Sequence, residues 1–298
     1  MDSPSQETAA GKHRSRLVAA FIINLGLMIA AIVGGALAGS LALFADAGHM
    51  LVDTVGVGLS LVAVFVARRA PTPRRSFGYY RLEILAAVVN GALLFGVGIA
   101  VMVSAVIRLM EPPAVSSGLM MVFGAVALVG NSVAAWLLLR GQEESLTMRG
   151  AFLDFLSDGL GALAVVVAGL VIGATGFDQA DTIAALAIGA LILPRTWHLL
   201  GRTVNVLLEA TPEGVDLEEV RRHILETVGV VGCHDLHVWT ITSGMNVISV
   251  HVVLEDGVEG SKVLDRLRDC LADHFDIEHS TFQLEPTTHR RHERAVHD

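Results

Sequence analysis

Charge is what this sequence has least of. Asp, Glu, Lys and Arg make up only 17% of its 298 residues, where soluble domains carry about 25%. The apolar share is 53% and mean hydropathy is positive, which excludes an ordinary soluble globule. Cysteine is also scarce. Cys233 and Cys270 are the only two, which suggests no disulfide framework and suits a reducing compartment. No excess of positive charge is present: the formal net charge is −9, so nucleic acid is not expected as a partner. The polar N-terminal stretch shows no cleavage pattern before the first apolar run, so no signal peptide is expected.

What the chain does have is six long apolar runs, at about 17–38, 41–67, 82–109, 117–139, 150–173 and 181–203. Each is near the roughly 20 residues that cross hydrocarbon as a helix. Gly39-Ser40, Glu111-Pro112-Pro113 and Gly173–Asp178 join them on one side. Arg68–Arg81, Arg140–Arg149 and the segment after Arg202 lie on the other. Lys12, Arg14, Arg16, Arg68, Arg69, Arg74, Arg75, Arg81, Arg140, Arg149 and Arg202 all fall on that second side, whereas the first has only Arg108, near a helix end. Basic loops stay in the cytoplasm, so both termini are expected there.

Within these runs ionisable residues are costly, about 2.5–3.5 kcal/mol each on insertion scales. Two matched pairs nevertheless occur: His49 with Asp53, and Asp154 with Asp158. A spacing of four puts each pair on one helix face. Together they offer one imidazole and three carboxylates, enough for a four-coordinate divalent metal, with Zn²⁺, Co²⁺, Fe²⁺, Mn²⁺ and Cd²⁺ all compatible and Cu(I) disfavoured by the lack of thiolate. Interhelical hydrogen bonding is the bland alternative. Asp46 shares a face with His49 and reads as a helix-start residue or a support to the ligands. Asn24, Asn90 and Asn131 read as interhelical packing glue.

Charge is unevenly divided. Up to Val204 there are 13 Lys and Arg against 12 Asp and Glu, whereas from Asn205 there are 8 against 18, together with nine of the 12 His. The chain therefore divides into a loose N-terminus (1–16), a six-helix transmembrane domain (17–205), an acidic soluble domain (206–286) and a loose tail (287–298). In the soluble part, Asp216–Val228 is amphipathic with Asp216 as N-cap. Cys233–Ile241 and Asn246–Leu254 read as strands joined by a Thr242–Met245 hairpin turn. Gly260–Phe275 reads as a helix and Thr281–Glu285 as a third strand. The expected fold is an α-helical membrane protein, six transmembrane helices followed by a small α+β cytoplasmic domain of order αββαβ.

Five motifs in order, "SLALFADAGHMLVD", "SFGYYRLEILAAVVNG", "FLDFLSD", "VLLEATP" and "CHDLHVWTITSG", resemble the cation diffusion facilitator family, of the zinc and cobalt–zinc–cadmium resistance type. The resemblance covers about Leu17 to Glu285. It implies a homodimeric, proton-coupled antiporter of a bacterial plasma membrane that exports a divalent metal, most readily Zn²⁺ with Cd²⁺ and Co²⁺ as alternatives, and it puts the transport site on His49, Asp53, Asp154 and Asp158. Many zinc-selective relatives have His where Asp154 stands, and another branch has Asp where His49 stands, so Mn²⁺ or Fe²⁺ export stays open. The family's loop site between the second and third spans is expected to be absent, because Pro71–Ser76 holds no ligand residue, and Gln142–Thr147 has no His. The resemblance also implies a tail metal site for a regulatory Zn²⁺ on His234, His251 and Glu285, with His237 and Cys233 as alternatives. Strand parity puts His234 on the core side with Leu236 and Val238, and His251 on the more open side with Ser249. An ion pair between Arg81 and Glu209 is implied as well.

Other functional classes fit less of the chain. His49 and Asp53 do not supply the H-E-x-x-H of a metalloprotease, and the G-x-S-x-G of a serine hydrolase is absent. A paired-aspartate enzyme on Asp154 and Asp158 leaves His49 and Asp53 unexplained, so no enzyme is expected. A metal sensor or scaffold that does not transport, and a channel, are the remaining readings.

Overall fold

The structure, a computed structural model, describes residues 14–139 and 146–289. Most of the disorder expected at the two ends falls on residues 1–13 and 290–298, outside the described residues. Arg14, expected in the loose N-terminus, instead begins α1 (Arg14–Ala38). Five further long helices follow: α2 (Leu41–Ala67), α3 (Leu82–Met110), α4 (Ser117–Leu139), α5 (Leu146–Thr175) and α6 (Gln179–Leu207). All six are long and apolar enough to cross a membrane. The apolar runs fixed their centres. Their ends run past the expected limits by up to four residues, because polar residues such as Gln179 and Asn205 also fit a helix terminus outside hydrocarbon.

The described residues form two compact units, one of 14–59 with 89–139 and 146–199, the other of 60–88 with 200–289. In the first, the contact surfaces are built from small residues. Ala38, Ala42, Ala45, Ala105, Ala168, Ala184 and Ala185 are buried around Leu43, Met120 and Val165. Lipid is as apolar as leucine, so helices in it associate by close packing. Gly124 of α4 is one such close approach: a Cβ there would sit 2.9 Å from Val165 Cγ1 of α5. Large apolar side chains such as Ile22, Leu61, Phe65, Trp136 and Leu191 face outward, as a lipid solvent requires.

The start of α2 is fixed by a carboxylate from another helix. Asp181, buried in the first turn of α6, accepts hydrogen bonds from Ser40 Oγ at 2.6 Å, Leu41 N at 2.7 Å and Ala42 N at 3.2 Å. These donors belong to a helix N-terminus, which has no intrahelical acceptors for them. Arg108 donates to the Gly39 carbonyl at 2.9 Å and approaches Asp181 at 4.0 Å.

In the second unit, α7 (Leu217–Glu226) is capped by Asp216, whose side chain accepts from Glu218 N at 2.9 Å. Strands β1 (Val230–Thr242) and β2 (Met245–Leu254) pair antiparallel, α8 (Gly260–Phe275) crosses over, and β3 (His279–Pro286) pairs parallel to β2. The order β1-β2-β3 matches the expected αββαβ. Val220 and Ile224 of α7 and Val263, Leu267 and Leu271 of α8 bury their apolar stripe on Val238, Ile248, Val250 and Val252 of the sheet. Burying each such side chain contributes about 1.5–3 kcal/mol. The membrane-proximal loop residues belong to this unit as well. Arg81 Nη2 lies 2.6 Å from Glu209 Oε1. Glu83 accepts from Thr242 Oγ1 at 2.5 Å and Ser243 Oγ at 2.9 Å, and Arg202 pairs with Glu213.

Candidate metal sites

The first cluster lies inside the helical unit. His49 Nε2 is 3.5 Å from Asp53 Oδ2 one turn along α2, and 3.7 Å from Asp158 Oδ1 on α5. A hydrogen bond would draw such atoms to 2.7–3.2 Å. Two ligands on one tetrahedral ion at 2.0–2.2 Å lie roughly 3.3 Å apart, so the observed spacing suits ligands disposed around a cation. His49 Nδ1 is buried with no hydrogen-bond partner. It borders an enclosed cavity of about 10 Å³ walled by Ala45, Leu94, Val97 and Ile192.

Asp154 takes a different partner. Its Oδ1 accepts from Arg195 Nη2 of α6 at 2.7 Å. Both side chains are open, 55% and 66% exposed. Arg195 follows Pro194 within α6 and went unnoticed in the sequence, inside the sixth apolar run. Its spacing from Asp154 carried no local signal. Asp46 lies one turn from His49, only 3% exposed, with Oδ2 lacking a hydrogen-bond partner. It does not cap its helix, which is Asp181's role. Two of the three asparagines lack hydrogen bonds that such glue would make: both polar atoms of Asn131, and Oδ1 of Asn90, are buried without hydrogen-bond partners.

The second cluster is in the sheet. His234 and His251 face each other across β1 and β2, with ring centroids 5.0 Å apart. Glu285 of β3 reaches both: Oε2 is 3.6 Å from His234 Nε2, and Oε1 is 2.9 Å from His251 Nδ1. Gln283 Nε2 donates to Glu285 Oε1 at 2.7 Å, which orients the carboxylate. One ligating atom from each of the three lies within 4.8 Å of the others. Strand parity misplaces His234: paired with His251, it shares that residue's face, whereas Cys233, opposite Val252, takes the core side, and on that shared face His234 is buried and His251 half-buried. A register irregularity between His234 and His237, with Asp235 at φ 48°, is a bulge that re-aims the chain after His234. Neither His237 nor Cys233 joins this triad. Burial pushes the Cys233 thiol above its usual range, against the opposing charge of Arg221, so it is a poor source of thiolate at neutral pH. The chemistry fits a metal: Glu285 is only 2% exposed and its Oε2 has no hydrogen-bond donor, and two imidazoles with one carboxylate are borderline ligands for Zn²⁺ or its neighbours.

Six apolar helices carrying a nitrogen and oxygen ligand cluster define an integral membrane protein built to handle a metal cation. Comparison with known proteins gives the family. Residues 17–208 match the cation efflux transmembrane domain, and residues 212–287 match the cation efflux protein cytoplasmic domain. The metal cation efflux system protein CzcD of Cupriavidus metallidurans is 42% identical over 98% of this chain and 93% of its own. The zinc transporter ZitB of Escherichia coli is 39% identical over 91% and 87%. The cadmium, cobalt and zinc/H(+)-K(+) antiporter of Bacillus subtilis is 35% identical over 96% and 93%. The chain belongs to the cation diffusion facilitator family of heavy-metal exporters, and it is a metal cation efflux transporter.

Proposed function

We propose that this protein exports Zn²⁺, with Cd²⁺ and Co²⁺ as further substrates, from the bacterial cytoplasm in exchange for protons. The observation that carries the reading is the cluster of His49, Asp53 and Asp158 at ligand-like spacing inside an apolar helical unit, with Asp154 at its open side. Ligands must be deprotonated to bind metal, so protons and metal compete for the same atoms. Helix rearrangement around such a midplane site would expose it to each side in turn. The Bacillus subtilis relative, a cadmium, cobalt and zinc/H(+)-K(+) antiporter, and the Escherichia coli zinc transporter support the metal range, and the former supports protons as counter-ion. The protein acts as a homodimer in the plasma membrane with both termini in the cytoplasm. The triad of His234, His251 and Glu285 holds a regulatory ion in the soluble domain.

The test is metal uptake into inverted membrane vesicles, with and without an inside-acidic gradient. Zn²⁺ uptake should rise with the gradient and vanish in Asp158→Ala. Gradient-independent uptake would overturn proton exchange, and uptake intact in Asp158→Ala would overturn the site.

A further inference from the structure

Resting on the transport-site reading, one relationship at that site has a role of its own. The four residues His49, Asp53, Asp154 and Asp158 hold three carboxylates. A bound dication would leave one negative charge uncompensated in an apolar body, where unpaired charge is strongly disfavoured. Arg195 supplies the missing charge, and it does so at one carboxylate only, Asp154, at 2.7 Å. His49 Nε2 instead approaches the other two, Asp53 at 3.5 Å and Asp158 at 3.7 Å. A guanidinium stays charged at any physiological pH and matches a carboxylate in shape, so it is a standing competitor for that ligand.

We propose that Arg195 is a positioning residue that withholds Asp154 from the metal, so that the transported dication is held by His49, Asp53 and Asp158. The charges then close. Two ligating carboxylates balance the dication, and the Asp154–Arg195 pair is neutral by itself. The coordination consequence follows. Four protein ligands close a tetrahedral ion and characterise structural sites, whereas three leave a position open to water. An exporter must release what it binds, and an open, three-ligand site releases more readily. Arg195 thereby trades affinity for turnover, and it lets a chain with Asp at position 154 behave as a weaker site than its ligand list suggests.

The experiment is calorimetric titration of Zn²⁺ into the purified full-length protein in detergent, with His251→Ala and Glu285→Ala introduced to silence the tail triad. Arg195→Gln frees Asp154 and should tighten binding by about tenfold or more. Asp154→Asn leaves Arg195 unpaired beside the cation and should weaken it. The double variant Asp154→Asn/Arg195→Gln should return to about the starting affinity, and Arg195→Lys, which keeps the charge, should stay there too. In vesicles, Arg195→Gln should lower both KM and the maximal rate. Binding by Arg195→Gln that is equal or weaker, or a double variant that does not return, would overturn the proposal. Loss of all Asp158-dependent binding in the starting protein would instead overturn the transport-site reading, and this inference with it.

Discussion

Asp181 accepts a 2.6 Å hydrogen bond from Ser40 Oγ, so a carboxylate of the sixth helix caps the second. The cap fixes the helix that presents His49 and Asp53. Hydrogen bonds to a charged group contribute about 1.5–3 kcal/mol each. Asp181→Ala should therefore cost about 3 kcal/mol or more, read as a lower melting temperature of the purified protein. Asp181→Asn, which can still accept, should lose less. Equal stability of Asp181→Ala and the starting protein would show that the cap is dispensable.

Zinc should stabilise the soluble domain through its triad. An ion at a hundredfold excess over Kd stabilises the folded form by about 2.7 kcal/mol. In a Trp136→Phe/Trp197→Phe background, thermal unfolding followed at Trp239 should shift upward with Zn²⁺ in the full-length protein. In Glu285→Gln, which keeps the shape of the side chain, that shift should disappear while the metal-free melting temperature holds or rises, because a buried carboxylate has been removed.

Arg81 and Glu209 form an exposed pair at 2.6 Å, and exposed pairs are worth about 0.2–1 kcal/mol. A thermal double-mutant cycle with Arg81→Ala and Glu209→Ala should return a coupling in that range, shrinking in high salt. Transport that falls far more than stability in either variant would show that the pair acts in the transport cycle.

Gly124 is set by sterics. Its hypothetical Cβ would also lie 3.4 Å from the backbone N of Val166, which cannot swing aside. Gly124→Ala should cost about 1–3 kcal/mol by overpacking, seen as reduced thermal stability. Gly118→Ala on the same helix, with nothing within 4 Å, serves as the neutral comparison.

The six helices were legible because hydrocarbon selects length and apolarity residue by residue, and no partner is needed to read either. Gly260–Phe275 was read to the residue for a similar local reason, an amphipathic stripe between Gly257 and the left-handed Asp276. His49 and Asp53 stood out because four residues along a helix is a local distance. Arg195 did not, since its partner is 41 positions away and only helix packing brings the two together. Asn131 misled for the complementary reason: its polarity was visible, but whether another side chain would meet it depended on the register of α4 against α5.

The crossover that makes β3 parallel to β2 has a consequence for synthesis. A ribosome that has released β1 and β2 has made both imidazoles, His234 and His251, but no site. The carboxylate arrives only after α8 has been translated and has folded back across the sheet. Two histidines alone hold a metal loosely, so the nascent domain should not capture an ion prematurely.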